Sequence, residues 1–306
     1  MLNNCFYAVF TCFQIVKINW FVTKYNKMMR AIIRNFILLL VLVLLMSCDS
    51  RRKQEKLADE RLKRIETLIN QNSLNAAKIQ IDSIHLLFPR LVDKRRIAAA
   101  FADTIARRES TRNLAYCDSI LPQKQHEADS IQKNFRFEKD KKYQEVGNYI
   151  YKTQQTESNT NRTYLKTYVD ENADFYLISN YYGGKIEHTS LEVSVDDLFA
   201  HTDTLAVSNP AYHSFNDAGS HWETLTFKND ADKGVSSFIA QNTAQRVKVT
   251  LHGKKSYVYY LSDADKRAVA ATYHLWVVKK DVAKLQKEIK RAQNILARIK
   301  RDKQLK

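Results

Sequence analysis

Glycine is scarce in this chain of 306 residues, and it is unevenly placed. All six glycines (Gly147, Gly183, Gly184, Gly219, Gly234 and Gly253) lie between positions 147 and 253. Glycine supplies the positive φ of tight turns and weakens helices, so the partition predicts a helical segment, a β segment and a second helical segment. The same scarcity excludes a glycine-rich phosphate loop, because the only adjacent pair, Gly183-Gly184, sits in an expected turn. No HExxH, CxxC or GxSxG string occurs either. The familiar sequence signatures of zinc hydrolases, thiol redox centres and serine hydrolases are therefore missing. Cysteine is limited to Cys5, Cys12, Cys48 and Cys117.

Charge of one sign dominates what is there. Lys and Arg number 49 against 33 Asp and Glu, a net +16. Long apolar runs are few, and the one at Phe36–Met46 stands out. Its 11 residues are short of the roughly 20 that a spanning helix needs. They suit the hydrophobic region of a signal peptide, with Arg30 and Arg34 as the positive residues ahead of it. An uncleaved membrane anchor is the competing reading, since Ile32 and Ile33 lengthen the run. Residues 1–27 fit neither reading. Met28 or Met29 would be a natural start, which would make 1–27 an overlong gene model and remove Cys5 and Cys12.

The run stops at Leu45-Met46-Ser47-Cys48, which resembles the lipobox of bacterial lipoproteins. The resemblance implies a diacylglycerol on the Cys48 thiol, cleavage just before Cys48 and acylation of the new amine. Residues 1–47 hold five Lys or Arg and no acid, so a chain starting at Cys48 keeps 44 against 33, a net +11. Only Cys117 would then remain free. A single thiol makes no intramolecular disulfide and no thiolate metal site, and a buried small apolar role in a helix suits it.

Downstream, Ala58, Leu62, Ile65 and Ile69 form one helical stripe. Ala77, Ile81, Ile84 and Phe88 form another, capped by Asn72 or Ser73 and ended by Pro89. The pair resembles one tetratricopeptide-like hairpin over about 35 residues, without the further copies a solenoid requires. A third helix is expected from Val92 to Leu121 with Ile97, Phe101, Ile105 and Leu114 inward, broken by Pro122. A fourth is expected from Gln123 to Val146, with Ala128, Ile131, Phe135, Tyr143 and Val146 inward and Gly147 at its end.

From Tyr149 to Ser262 the period changes to two. Thr163–Val169, Asp174–Tyr182, Leu191–Val195, His221–Phe227 and Val235–Asn242 read as strands, and Val247–Leu261 reads as a hairpin turning at His252-Gly253-Lys254-Lys255. Seven or eight strands suit a small antiparallel sandwich or barrel. The connection from Phe199 to Ser220 is long and polar.

The last segment carries the most regular pattern. Leu275, Val278, Val282, Leu285, Ile289, Ala292, Leu296 and Ile299 alternate in steps of three and four, an unbroken heptad seam. A helix of about 40 residues extends roughly 60 Å and needs a partner. That partner is either the helix 123–146, which would make the β region an insertion between two packed helices, or a second copy in a homodimer through 275–299. The expected fold class is α+β: N-terminal helical hairpins and a long C-terminal coiled-coil helix flanking a small antiparallel β-sandwich or barrel. The expected boundaries are 1–47 for the signal peptide, 48–147 helical, 148–262 β and 263–306 for a basic helix packing back on the helical region.

Three places invite function. Residues 263–306 hold 13 Lys or Arg and 5 Asp or Glu, and Arg298, Lys300, Arg301 and Lys303 could touch anionic lipid or polysaccharide; a solvated outer helix face accounts for them equally well. Nucleic acid is the usual partner of such a tail, but an exported chain meets little of it. The stretch His213, Ser214, Asp217, His221 and Glu223 holds residue types that ligate zinc or form a hydrolytic triad, at a spacing that matches no template. Trp222, Tyr181 and Tyr182 could stack on sugar rings, although strand aromatics more often serve as core or cross-strand pairs.

The body resembles lipoproteins of the Bacteroidetes in its Asp82-Ser83-Ile84 and Phe88-Pro89 helical region, its inserted strands over 149–262 and its basic helix through Leu275–Ile299. That resemblance implies no particular activity. In that group acidic residues after the lipidated cysteine favour surface display, and Asp49-Ser50-Arg51-Arg52-Lys53 is mostly basic, which implies a periplasm-facing anchor. The expectation is a lipid-anchored envelope protein acting as a structural or interaction module, without catalysis or cofactor. Its partner would be an envelope protein or an anionic polysaccharide. A glycan-binding lipoprotein and a hydrolase or metal site at 213–223 are the alternatives.

Overall fold

The computed structural model describes residues 51–304 apart from 156, 158 and 218. The expected signal segment, its lipobox and Cys48 lie outside the described residues. The chain divides into two compact units, the first ending at Arg108 and the second running from Glu109. No helix among the described residues is long and apolar enough to cross a membrane.

The first unit is helical. Helix α1 covers 51–70, α2 is Leu74–Leu87, and α3, Val92–Gln132, begins here. Ala58, Leu62, Ile65 and Ile69 of α1 are buried against Ala77, Ile81 and Ile84 of α2. Asn72 closes α1 in the left-handed conformation (φ 58°). Ser73 N–H then reaches Leu68 O (2.8 Å) and Asn72 N–H reaches Ile69 O (3.1 Å), the two bonds of a Schellman stop. Ser73 occupies the N-cap position of α2, but its side chain makes no capping bond. The Arg108 guanidinium donates a second hydrogen bond to Ile69 O at 2.7 Å and places a positive charge at the C-terminal end of α1. Of the expected inward residues of α3, Ile105 is buried and Phe101 packs on the core, but Ile97 is 43% exposed and its neighbour Ala98 is buried in its place.

The expected break at Pro122 does not occur, because α3 runs through it. An internal proline removes one backbone bond and costs about 3 kcal/mol. The turns beyond it bury Ala128 and half-bury Ile131, which offsets that loss. Of the expected fourth helix, Gln123–Gln132 is helical as the end of α3, and the remainder is not. After Gln132 the chain turns into strand β1, Phe135–Glu138, and pairs with β2, Asn148–Tyr151. Phe135 is buried as a strand residue, edge-on to Tyr151, and Tyr143 is exposed. β-branched and aromatic residues on both sides of the 139–147 turn favour this hairpin over a helix. A Cβ at Gly147 would stand 2.2 Å from the exposed Phe137 ring, which would have to swing aside.

The second unit continues with β3 (Tyr164–Asp170), β4 (Phe175–Gly183), β5 (Ser190–Val195), β6 (Leu198–His201), β7 (Tyr212–Asp217), β8 (Ser220–Lys228), helix α4 (Val235–Gln241), β9 (Lys248–His252), β10 (Tyr257–Tyr260) and helix α5 (Asp263–Gln304). Two antiparallel sheets form: β1-β2-β3-β4-β8-β7 and β10-β9-β5-β6. No closed barrel is made among the described residues. Inward residues of both sheets (Leu165, Leu177, Leu225, Leu191, Val193 and Leu251) share one core with Val235 and Ile239 of α4 and Val269 and Trp276 of α5.

The stretch 235–242, expected as a strand, is helix α4. Val235 and Ile239 lie four apart on its buried face, a helical spacing within a β-branched composition. Gly234 enters it at φ 88°, and the Asp232 carboxylate accepts from the N–H groups of Gly234 and Ser236, fixing the first turn. Part of the supposed long connection 199–220 is strand, in β6 and β7.

Helix α5 starts on a capping interaction in which Ser262 Oγ accepts from Asp265 N–H at 3.1 Å, satisfying one of the N–H groups that a helix start leaves open. Along its seam Leu275, Val278, Ala292 and Ile299 are buried, and Val282, Leu285, Ile289 and Leu296 are half-buried. Within the second unit α5 faces α3. Lys124 lies 3.5 Å from Asp281, Glu127 lies 3.3 Å from His274, and Cys117 and Ile120 share a cleft with Leu285. Cys117 itself is a buried free thiol.

Candidate functional site

The two faces of β8 hold different chemistry, because successive strand residues point to opposite sides. Glu223, Leu225 and Phe227 point inward and are buried. Trp222, Thr224 and Thr226 point outward and are half-buried.

On the inner side the Glu223 carboxylate is fully buried. Oε1 accepts from the backbone N–H groups of Ile186 (2.8 Å) and Glu187 (2.7 Å), and Oε2 accepts from that of His188 (2.8 Å). The buried His188 ring adds a contact from Nδ1 at 2.9 Å. Three successive N–H groups, with Glu187 at φ 51°, form an anion-holding concavity. Burial alone would raise the pKa of this carboxyl; the bonds to the His188 ring and the three N–H groups outweigh it and hold the group down at about 2. The segment 186–188 carries the chain from the first sheet to the second. It is held from the other side by Lys254 N–H, which donates to Ile186 O at 2.8 Å. Gly253 permits that approach, since a Cβ there would lie 2.5 Å from the carbonyl oxygens of Ile186 and Glu187.

This geometry disperses the expected catalytic cluster. His221 Nε2 comes within 3.3 Å of Glu223 Oε1, too poorly aligned for a hydrogen bond, while its Nδ1 meets Asn216 Oδ1 at 2.6 Å. His213 and Ser214 are exposed on β7. The side chain of Asp217 lies outside the described ones. No hydroxyl stands on the His221 ring among the described hydrogen bonds; Ser220 Oγ instead bonds the Tyr182 hydroxyl at 2.7 Å. Among the described residues no three His, Cys, Asp or Glu side chains are placed to share a metal ion. Glu223 already accepts four donors, so its oxygens are committed to the fold rather than to a substrate.

On the outer side the aromatic trio separates. Tyr181 points inward, is 5% exposed and packs edge-on to Tyr257, so it belongs to the core and offers no ring to a ligand. Tyr182 and Trp222 are cross-strand partners with ring centres 4.9 Å apart. Phe215, unanticipated, joins them from β7, nearly parallel to Trp222 (7°, 5.9 Å) and 55% exposed. Beside these rings opens a cleft of about 430 Å³ whose lining includes Asn159, Asn161, Lys166, Asn180, Thr224 and Trp222. Its floor is the outer face of β3, β4 and β8, and the segment 159–161 walls one side. Amide and hydroxyl groups next to flat rings suit a ligand that has both hydroxyls and apolar C–H faces.

The alternation in His221–Phe227 already puts Trp222, Thr224 and Thr226 on one face. Phe215 and His188 were missed for a common reason: their partners come from pairings seven and 35 positions away, which no local period encodes. No family model matches the chain, and neither a curated protein nor a solved structure matches it.

Proposed function

We propose that this chain is a lipid-anchored protein of a bacterial envelope, facing the periplasm, whose sandwich-like β unit binds carbohydrate without acting on it. One observation carries the binding reading: Tyr182, Trp222 and Phe215 form a continuous ring surface on the solvent side of the six-stranded sheet, edged by Asn180, Thr224 and Thr226. The anchor rests on Leu45-Met46-Ser47-Cys48. The seam of α5 is largely covered within one chain, so the reading needs no homodimer through 275–299.

The test of binding is titration of the protein with soluble peptidoglycan fragments and a glycan array, followed by tryptophan fluorescence. Trp222→Ala should abolish binding while lowering the melting temperature by only about 2–8 °C. Undiminished binding in that variant, or no ligand for the wild type, removes the reading. The anchor is tested separately by labelling cells with a palmitate analogue; incorporation should vanish in Cys48→Ala.

A further inference from the structure

Helix α5 exposes a stripe of cations that the heptad seam leaves facing solvent. Lys284, Lys287, Lys290, Arg291, Arg298 and Arg301 are all exposed. On a helix of 3.6 residues per turn they fall within about a third of the circumference, opposite the seam, over roughly 25 Å. Among the described residues only Arg291 has a carboxylate within ion-pair distance, Glu288 at 3.9 Å. Compare Lys124, Lys228 and Lys254 elsewhere in the second unit, which contact acids at 3.5 Å or less. Lys300 and Lys303, two of the residues read from the sequence as an anionic contact, project from the seam side instead. The stripe is therefore a different set, shifted towards the middle of the helix.

We propose that this stripe docks on a membrane surface bearing anionic phospholipid headgroups. Six exposed cations on one helix, five of them without an ion-pair partner among the described residues, present a linear array of positive charge to a planar one of negative charge. The stretch 284–301 contains no aromatic residue, so nothing in it would stack on a sugar ring, in contrast to the outer face of β8. That favours phosphate headgroups over an acidic polysaccharide. The inference stands apart from the carbohydrate site, and a lipid at Cys48 would only raise the local concentration of the surface.

Full-length protein is titrated with phosphatidylcholine vesicles and with vesicles that also contain phosphatidylglycerol. The ratio of the two partition coefficients cancels whatever the N-terminal segment or an acyl chain contributes to both. Each Lys or Arg at an anionic surface is worth about fivefold in partitioning, so the ratio should exceed about a hundredfold at low salt and collapse in molar salt. Replacing all six by Gln, a good helix former, should bring it within about tenfold of unity, with the circular dichroism unchanged. Should that variant lose its helix signal, Lys284→Gln with Lys287→Gln and Arg298→Gln with Arg301→Gln are read as separate pairs, each lowering the ratio. A ratio that survives these substitutions overturns the proposal. So does binding to an anionic polysaccharide without any preference for phosphatidylglycerol.

Discussion

Strand β8 has two faces that the same nine residues serve in opposite ways. Inward, Glu223, Leu225 and Phe227 are sealed from water and tied to distant segments. Outward, Trp222 packs on rings of the neighbouring strands, and with Thr224 and Thr226 it borders an open cleft. The difference teaches where function has room. A buried carboxylate with four donors cannot release them without unfolding its surroundings, whereas a ring lying on a sheet can exchange water for ligand at little structural cost.

The inner face should therefore break the fold when altered. Phe227→Ala leaves a cavity in the shared core and should cost about 3–5 kcal/mol, measured by urea unfolding. Glu223→Gln removes the charge that three N–H groups and a ring nitrogen address, and should cost about 2–4 kcal/mol. The same residue predicts a pH dependence. Its folded pKa of about 2 lies below the usual carboxyl value, so its contribution is complete above about pH 4.5 and drains away as pH falls towards 2. The lost part should be about 3 kcal/mol, and unfolding midpoints of the wild type and Glu223→Gln should converge across that window. Unchanged spacing between the two would mean that the contacts carry no charge-dependent stability. Gly253→Ala, which drives a methyl against the 186–187 carbonyls, should cost about 1–3 kcal/mol, less than either change because the turn it occupies lies at the surface.

Legibility in the sequence follows the range of the interactions. The stripes of α1 and α2, the strands β3, β4, β5 and β8 and the α5 seam all rest on local periods of 3.6 or 2, and these are the elements the sequence reading recovers. Helix α4 was misread because Val235, Phe238 and Ile239 favour a strand by composition, while the spacing of Val235 and Ile239 satisfies a helix; the Asp232 carboxylate holds the first turn. Pro122 was read as a break because proline usually ends a helix, a preference that tertiary burial of Ala128 overrides. For the candidate site, Trp222 and Tyr182 were legible. Tyr181, one residue away, was misassigned because adjacent strand residues face opposite sides, and a run of two tyrosines does not say which one faces out. The grip of Glu223 on 186–188 spans 35 residues and had no local signal.

The smallest expected effect on stability is the most informative about function. Trp222→Ala removes a half-buried ring from the outer face, where it packs on the rings of Tyr182 and Phe215. Aromatic pairs of this kind are worth about 0.5–1.5 kcal/mol each, so the loss in unfolding free energy should stay near 1–2 kcal/mol, well below that of Phe227→Ala on the same strand. Tyr181→Ala should behave as an inner-face change, lowering stability by about 3–5 kcal/mol, while carbohydrate binding measured below its unfolding transition persists. If instead Trp222→Ala destabilised as much as Phe227→Ala, its ring would be a structural cover for the sheet, and the contrast between the faces on which the binding site depends would be lost.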